Sequence, residues 1–182
     1  MKKIGFSIIA AAIGFMSASA HAAGQPNGGL MTINGALTAQ TCDVSGNGQG
    51  NNFTVTLPTL SAAEFSAAGA SDGSTGFNIA LTNCTPNTGN VHTFWEYGSN
   101  PLADGNLKNN GTATNIEVRL LDFNAGQKTI DVSKADGAQN SQTVAITAGK
   151  ASLQYAAQYF TPAGGASAGT VTTTVTYSMV YQ

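Results

Sequence analysis

The chain has 182 residues, of which only 9% are charged, and a formal net charge of −2. At 42% hydrophobic residues and 22 glycines it is long enough for one domain core, and it has no basic patch with which to grip nucleic acid. Two histidines and two cysteines leave few groups for catalysis or metal binding.

Residues 1–22 read as a secretory signal peptide rather than as fold. Lys2 and Lys3 give a positive start, and an apolar run over 4–16 is interrupted by Gly5, Ser7 and Gly14. That run is too short to span a bilayer as an anchor, and Ala20-His21-Ala22 puts small residues at both cleavage positions. Cutting after Ala22 leaves five basic and nine acidic residues, a net charge of −4. Residues 23–29 (A-G-Q-P-N-G-G) hold no core-forming side chain and are expected to be disordered in an isolated subunit. An extended segment follows, with Met31 and Ile33 on one face and Gly29 on the same parity. Gly35 reads as a break before the chain continues to Cys42.

The Gly/Asn-rich stretch 45–52 is a loop. Its Gly46-x-Gly48-x-Gly50 spacing lacks the helix and lysine of a phosphate loop. Phe53, Val55 and Leu57 alternate with Thr54 and Thr56, a strand pattern stopped by Pro58. Residues 60–75 are Ala/Ser/Gly-rich, and Ser61-Ala62-Ala63-Glu64 resembles a helix-start box, good for a single turn. Phe77, Ile79 and Leu81 form the next strand, which delivers Cys84. The segment 91–97 (V-H-T-F-W-E-Y) is a strand with aromatic residues on both faces. A Gly/Asn loop over 99–114 precedes Ile116, Val118 and Leu120, which alternate with Glu117 and Arg119. Short strands are expected at Ile130 and Val132 and at Val144 and Ile146, then a longer one through Leu153, Tyr155 and Ala157. The chain closes on 169–182 (G-T-V-T-T-T-V-T-Y-S-M-V-Y-Q), where Val171, Val175, Tyr177, Met179 and Tyr181 share one face. Eight to ten short strands without a convincing helix point to an all-β sandwich of two packed sheets.

The residue inventory argues against an enzyme. After cleavage a triad would depend on His92 alone, in a strand beside Phe94 and Trp95, where a packed or solvent-facing histidine is the plainer reading. Asp72, Asp104, Asp122 and Asp136 sit beside turns, where aspartate has a conformational use. Phe94, Trp95 and Tyr97 offer a sugar-binding platform on one reading and core packing on the other. Cys42 and Cys84 read by default as one disulfide in an exported chain, worth about 4 kcal/mol in the chain-entropy account of a loop this long. The alternatives are free thiols or a metal site, and two cysteines with one histidine lack a zinc spacing. No cofactor is expected.

The last strand has an apolar face and no later strand to cover its edge, and such an edge invites pairing with another chain. The occupant expected here is a second copy, contributing the face Gly29, Met31 and Ile33. Several motifs agree, in order: Asn27-Gly28-Gly29 before a short strand, the Cys42…Cys84 pair, and Gly76-Phe77-Asn78-Ile79-x-Leu81-x-x-Cys84. Thr114-Asn115-Ile116-x-Val118-x-x-Leu121-Asp122, Tyr155-x-Ala157-x-Tyr159-Phe160, Gly169 and the penultimate Tyr181 complete the series. With these the mature chain resembles, over its whole length, the type 1 fimbrial major subunits of the chaperone–usher pilins. The resemblance implies an incomplete immunoglobulin-like sandwich lacking its last strand, with residues 23–35 as a donor-strand extension and 36–182 as the pilin domain. It implies a groove flanked by the first and last strands, filled in the periplasm by a chaperone strand whose basic residues hold the carboxylate of Gln182. At the outer-membrane usher the next subunit's extension takes over, and the product is a surface fimbrium for adhesion. The competing readings are a minor adaptor or adhesin subunit using Trp95 and Tyr97, and a secreted carbohydrate-binding module.

Overall fold

The structure, a computed structural model, describes residues 31–182 except 36 and 38. The expected signal peptide and residues Asn27, Gly28 and Gly29 of the expected donor strand lie outside the described residues. The chain divides into two units, 1–36 and 37–182. Of the first only 31–35 are described, without regular structure, and Met31 and Ile33 are exposed there.

The second unit carries nine strands among the described residues: β1 (Thr41–Gly46), β2 (Ser71–Thr85), β3 (Gly89–Trp95), β4 (Leu107–Lys108), β5 (Glu117–Asp122), β6 (Lys128–Thr129), β7 (Val144–Ile146), β8 (Ala151–Phe160) and β9 (Tyr177–Tyr181). One sheet has the order β1-β2-β8-β5-β4, with β6 also on β5, and the other runs β7-β3-β9. After β2 the chain passes from sheet to sheet, so the inward faces of both meet in one core. There Trp95 of β3 stands edge-on to Tyr155 of β8 at 5.2 Å and to Phe77 of β2 at 6.3 Å. Ile79, Leu81, Val91 and Leu153 are fully buried around them. Alternation creates this core: Phe77, Ile79 and Leu81 all point inward from β2, as period-two side chains must.

Cys42 at the start of β1 is bonded to Cys84 near the end of β2, beside the register pair Thr41↔Thr85. The single turn foreseen near Ser61 is a 3-10 turn at Ala62–Phe65. The Ser61 hydroxyl accepts from the Ala63 N–H at 3.3 Å and Phe65 is buried.

Three expected strands differ. The ladder pairs Lys128–Thr129 rather than Ile130 and Val132. Both of those side chains are fully buried, but their N–H groups donate to Leu120 and Gly105, two different segments, so no single neighbour runs alongside. Residues 53–57 are extended with no ladder, and the final strand pairs only over Tyr177–Tyr181. In both places the side-chain alternation is present and the neighbouring strand is not.

Candidate functional site

The two ladderless segments face each other across a groove of about 810 Å³. One wall is 53–57, where Phe53, Val55 and Leu57 are half-buried and Thr54 and Thr56 are exposed. The other is 171–176, running on into β9 at Tyr177, where Val171, Thr173 and Val175 are half-buried between exposed Thr172, Thr174 and Thr176. Phe77, Trp95, Leu107, Val118, Leu120 and Ala157 form the floor. These come from five strands of both sheets, so the groove opens directly onto the core.

The backbone of the second wall shows what the groove lacks. Its outer edge is engaged at each of Thr170, Thr172, Thr174 and Thr176. Ala113 N–H donates to Thr170 at 3.0 Å, Asn110 N–H to Thr172 at 2.8 Å, and Glu96 N–H to Thr176 at 2.9 Å. Side chains fill in where no strand lies: Asn109 Oδ1 accepts from Thr172 N–H at 2.9 Å, and Asn100 Nδ2 donates to the Thr174 carbonyl at 2.8 Å. In extended chain, successive residues direct their backbone groups to opposite sides. The even-numbered residues therefore bond outward, and Val171, Thr173 and Val175 direct theirs into the groove, where they have no partner among the described residues. Across the groove, 53–57 make no backbone–backbone hydrogen bond either. There the side-chain amide of Gln49 alone exchanges two bonds with Thr54. Buried backbone groups are almost always paired, so two facing unpaired edges describe a slot for one strand.

Gly169 begins the second wall because of a close approach. A Cβ there would lie 2.4 Å from the Ala113 nitrogen. Burial pushes the phenols of Tyr177 and Tyr181 above their usual range. Val171, Val175, Tyr177 and Met179 all line the groove, whereas Tyr181 packs against the core cluster. Gln182 is exposed and its backbone exchanges two hydrogen bonds with Asn90. Sequence reasoning missed the first wall, whose Phe53–Val55–Leu57 alternation was visible, and Thr173, a polar residue on the inward row. It also passed over Leu37, fully exposed and on the same parity as Met31 and Ile33.

Other candidates dissolve into the fold. Trp95 is 2% exposed, so it serves the core and no surface platform, while Tyr97 stays exposed. His92 is buried and its Nε2 lies 2.7 Å from Asp136 Oδ1. Among the described residues no three metal-capable side chains converge, and no helix is long and apolar enough to cross a membrane.

Residues 57–182 match the family described as FimA: Type-1 fimbrial protein, A. The chain is 38% identical to the F17 fimbrial protein of Escherichia coli over 189 residues, covering all of both chains. It is 40% identical over 172 residues to the major fimbrial subunit SMF-1 of Stenotrophomonas maltophilia (strain K279a), covering 91% of this chain and 99% of that one. Among solved structures, the type I fimbria protein BPSL1626 of Burkholderia pseudomallei aligns with a TM-score of 0.50 at 19% identity, over 78% of this chain and 97% of that one. The CupB6 tip adhesin of Pseudomonas aeruginosa aligns with a TM-score of 0.55 at 17% identity, over 69% of this chain and 34% of the adhesin. These two speak to the fold alone, and they agree with the incomplete immunoglobulin-like sandwich expected from the sequence. With the match running from the first groove wall to the last residue, the chain belongs to the FimA type-1 fimbrial protein family, a structural rather than an enzymatic one, and is a pilus subunit that assembles with other fimbrial subunits at the cell surface.

Proposed function

We propose that this subunit polymerises head-to-tail by donor-strand exchange, each copy lending the segment before its disulfide to the groove of the next. The observation that carries the reading is the inner edge of the second wall, where Val171, Thr173 and Val175 present unpaired backbone groups over an apolar floor. A strand laid there gains two ladders at once. Each backbone hydrogen bond contributes about 1 kcal/mol net, and each large side chain delivered to the floor about 1.5–3 kcal/mol. The donor residues are Asn27, Gly28, Gly29, Met31 and Ile33. The exposure of Leu37 on the same row extends that face by one more apolar side chain. The acceptor residues are Gly169, Val171, Val175, Tyr177, Met179, Tyr181 and Gln182.

Such a contact is heterologous and does not close, so it builds a filament. In this reading the signal peptide takes the chain to the periplasm. A periplasmic chaperone occupies the groove and holds the terminal carboxylate of Gln182 until the outer-membrane usher replaces it with the next subunit. The test is a gel of material sheared from the cell surface, run in detergent with and without boiling and with disulfides intact. A ladder of multimers that collapses to one band on boiling supports the exchange. A single monomer band in both lanes overturns it.

A further inference from the structure

One side chain crosses the groove. Tyr177, on the second wall, donates its phenolic hydrogen to the carbonyl oxygen of Asn51 at 2.7 Å. Its ring meets Phe53 edge-on, with centroids 5.8 Å apart and planes at 66°. Phe53 belongs to the opposite wall and Asn51 to the loop that leads into it, which also lines the groove, and no other hydrogen bond among the described residues joins the two sides. The floor backs the contact: Phe53 lies 5.7 Å from Phe77, and Tyr177 lies 6.0 Å from Trp95. The lining continues past this level to Met179 and Val44, so the bridge divides the groove instead of ending it.

A strand inserted between two others keeps about 4.8 Å to each, which sets its flanking walls about 10 Å apart. The Tyr177 hydroxyl reaches from one wall to the Asn51 carbonyl at the edge of the other, so at this level the gap between them is tied. Along Val171 to Val175 no hydrogen bond among the described residues crosses the groove. Burial holds the phenol above its ordinary value of 10.0, so the hydroxyl stays protonated and able to donate throughout the neutral range.

The geometry points to Tyr177 as a latch on the empty groove: its bridge to the Asn51 carbonyl holds the two walls together at one level, and in a chain without a chaperone strand it must open before a second copy's strand can pair from Val171 through to Met179. The inference rests on the strand-exchange reading and adds to it a gate on the empty groove. Opening the bridge therefore limits how fast the strand is taken up, while the finished joint, in which the bridge is already broken, comes apart at a rate that does not depend on it.

The experiment uses the full mature chain at nanomolar concentration and a dye-labelled synthetic peptide of residues 23–40, followed by anisotropy. Tyr177→Phe keeps the ring and removes the hydroxyl. One lost net hydrogen bond is expected to raise the association rate about fivefold and to leave the dissociation rate unchanged. Phe53→Leu removes the edge contact from the other wall and is expected to shift association in the same direction. It decides the matter alone if Tyr177→Phe does not fold. Association at or below the wild-type rate overturns the latch while leaving strand exchange standing. Failure of the wild-type chain to take up the peptide overturns strand exchange, and the latch with it.

Discussion

Glu117 shows how a single side chain on this lightly charged surface acquires a pH response. Its carboxylate shares the side-chain amide of Asn106 with Asp104, at 3.1 and 2.8 Å, and Arg119 Nε donates to the same asparagine's oxygen at 3.1 Å. Burial, and then the neighbouring Asp104 charge, hold the Glu117 carboxyl above its ordinary value of 4.5. The folded chain therefore binds this proton more tightly than the unfolded chain does. The stability it contributes is complete below pH 4.5 and is lost as pH rises through the raised value. Glu117→Gln is expected to flatten that part of the Tm-against-pH profile and to leave the chain more stable than wild type at neutral pH. A thermal-melt series over that range measures it. Gln139 is the opposite case, a fully buried amide with nothing to titrate. It accepts from the Trp95 N–H at 2.9 Å and donates to the Trp95 carbonyl at 2.6 Å, so one side chain caps the edge of β3 where β7 has ended.

At the scale of elements, asparagine side chains do the work of a missing strand. Asn109 and Asn100 hold the outer edge of 170–174 across 63 and 74 residues of sequence. Asn109→Ala is expected to free the Thr172 N–H and to raise its hydrogen-exchange rate about tenfold, as for loss of one partnered amide, with β3 and β8 unchanged; NMR-detected exchange reads both. This is also where sequence reasoning reached its limit. The strands β2, β3, β5, β7 and β8 were legible because alternation reports which face a side chain takes. The same alternation in Phe53–Leu57 and Val171–Val175 looked identical, because period two says nothing about whether a strand lies alongside. Ile130 and Val132 misled for the same reason. The groove was legible as an uncovered apolar strand at the C-terminal end. Its opposite wall, and the loop that props the near one, were not, because they depend on pairings far apart in sequence that no local pattern encodes.

For the whole molecule, the assembly proposal separates the chain into a donor segment and an acceptor sandwich. A mature chain lacking residues 23–37 is expected to keep its groove and to accept the 23–40 peptide, yet to yield no multimers in unboiled detergent. A gel ladder from that truncation would show that the segment is not the donor. The low charge suits a subunit that assembles with other fimbrial subunits.

The disulfide takes on a mechanical meaning in a rod of this kind. In the proposed filament, joined through the segment before Cys42, tension enters each sandwich at the first residues of β1, an edge strand of its sheet. An edge strand pulled from one end peels, rupturing its hydrogen bonds one after another. The bond from Cys42 to Cys84 meets the load one residue after β1 begins and hands it to β2, which pairs with β1 on one side and β8 on the other. The pull then spreads as shear across the middle of the sheet, and the sandwich resists being peeled open from its first strand.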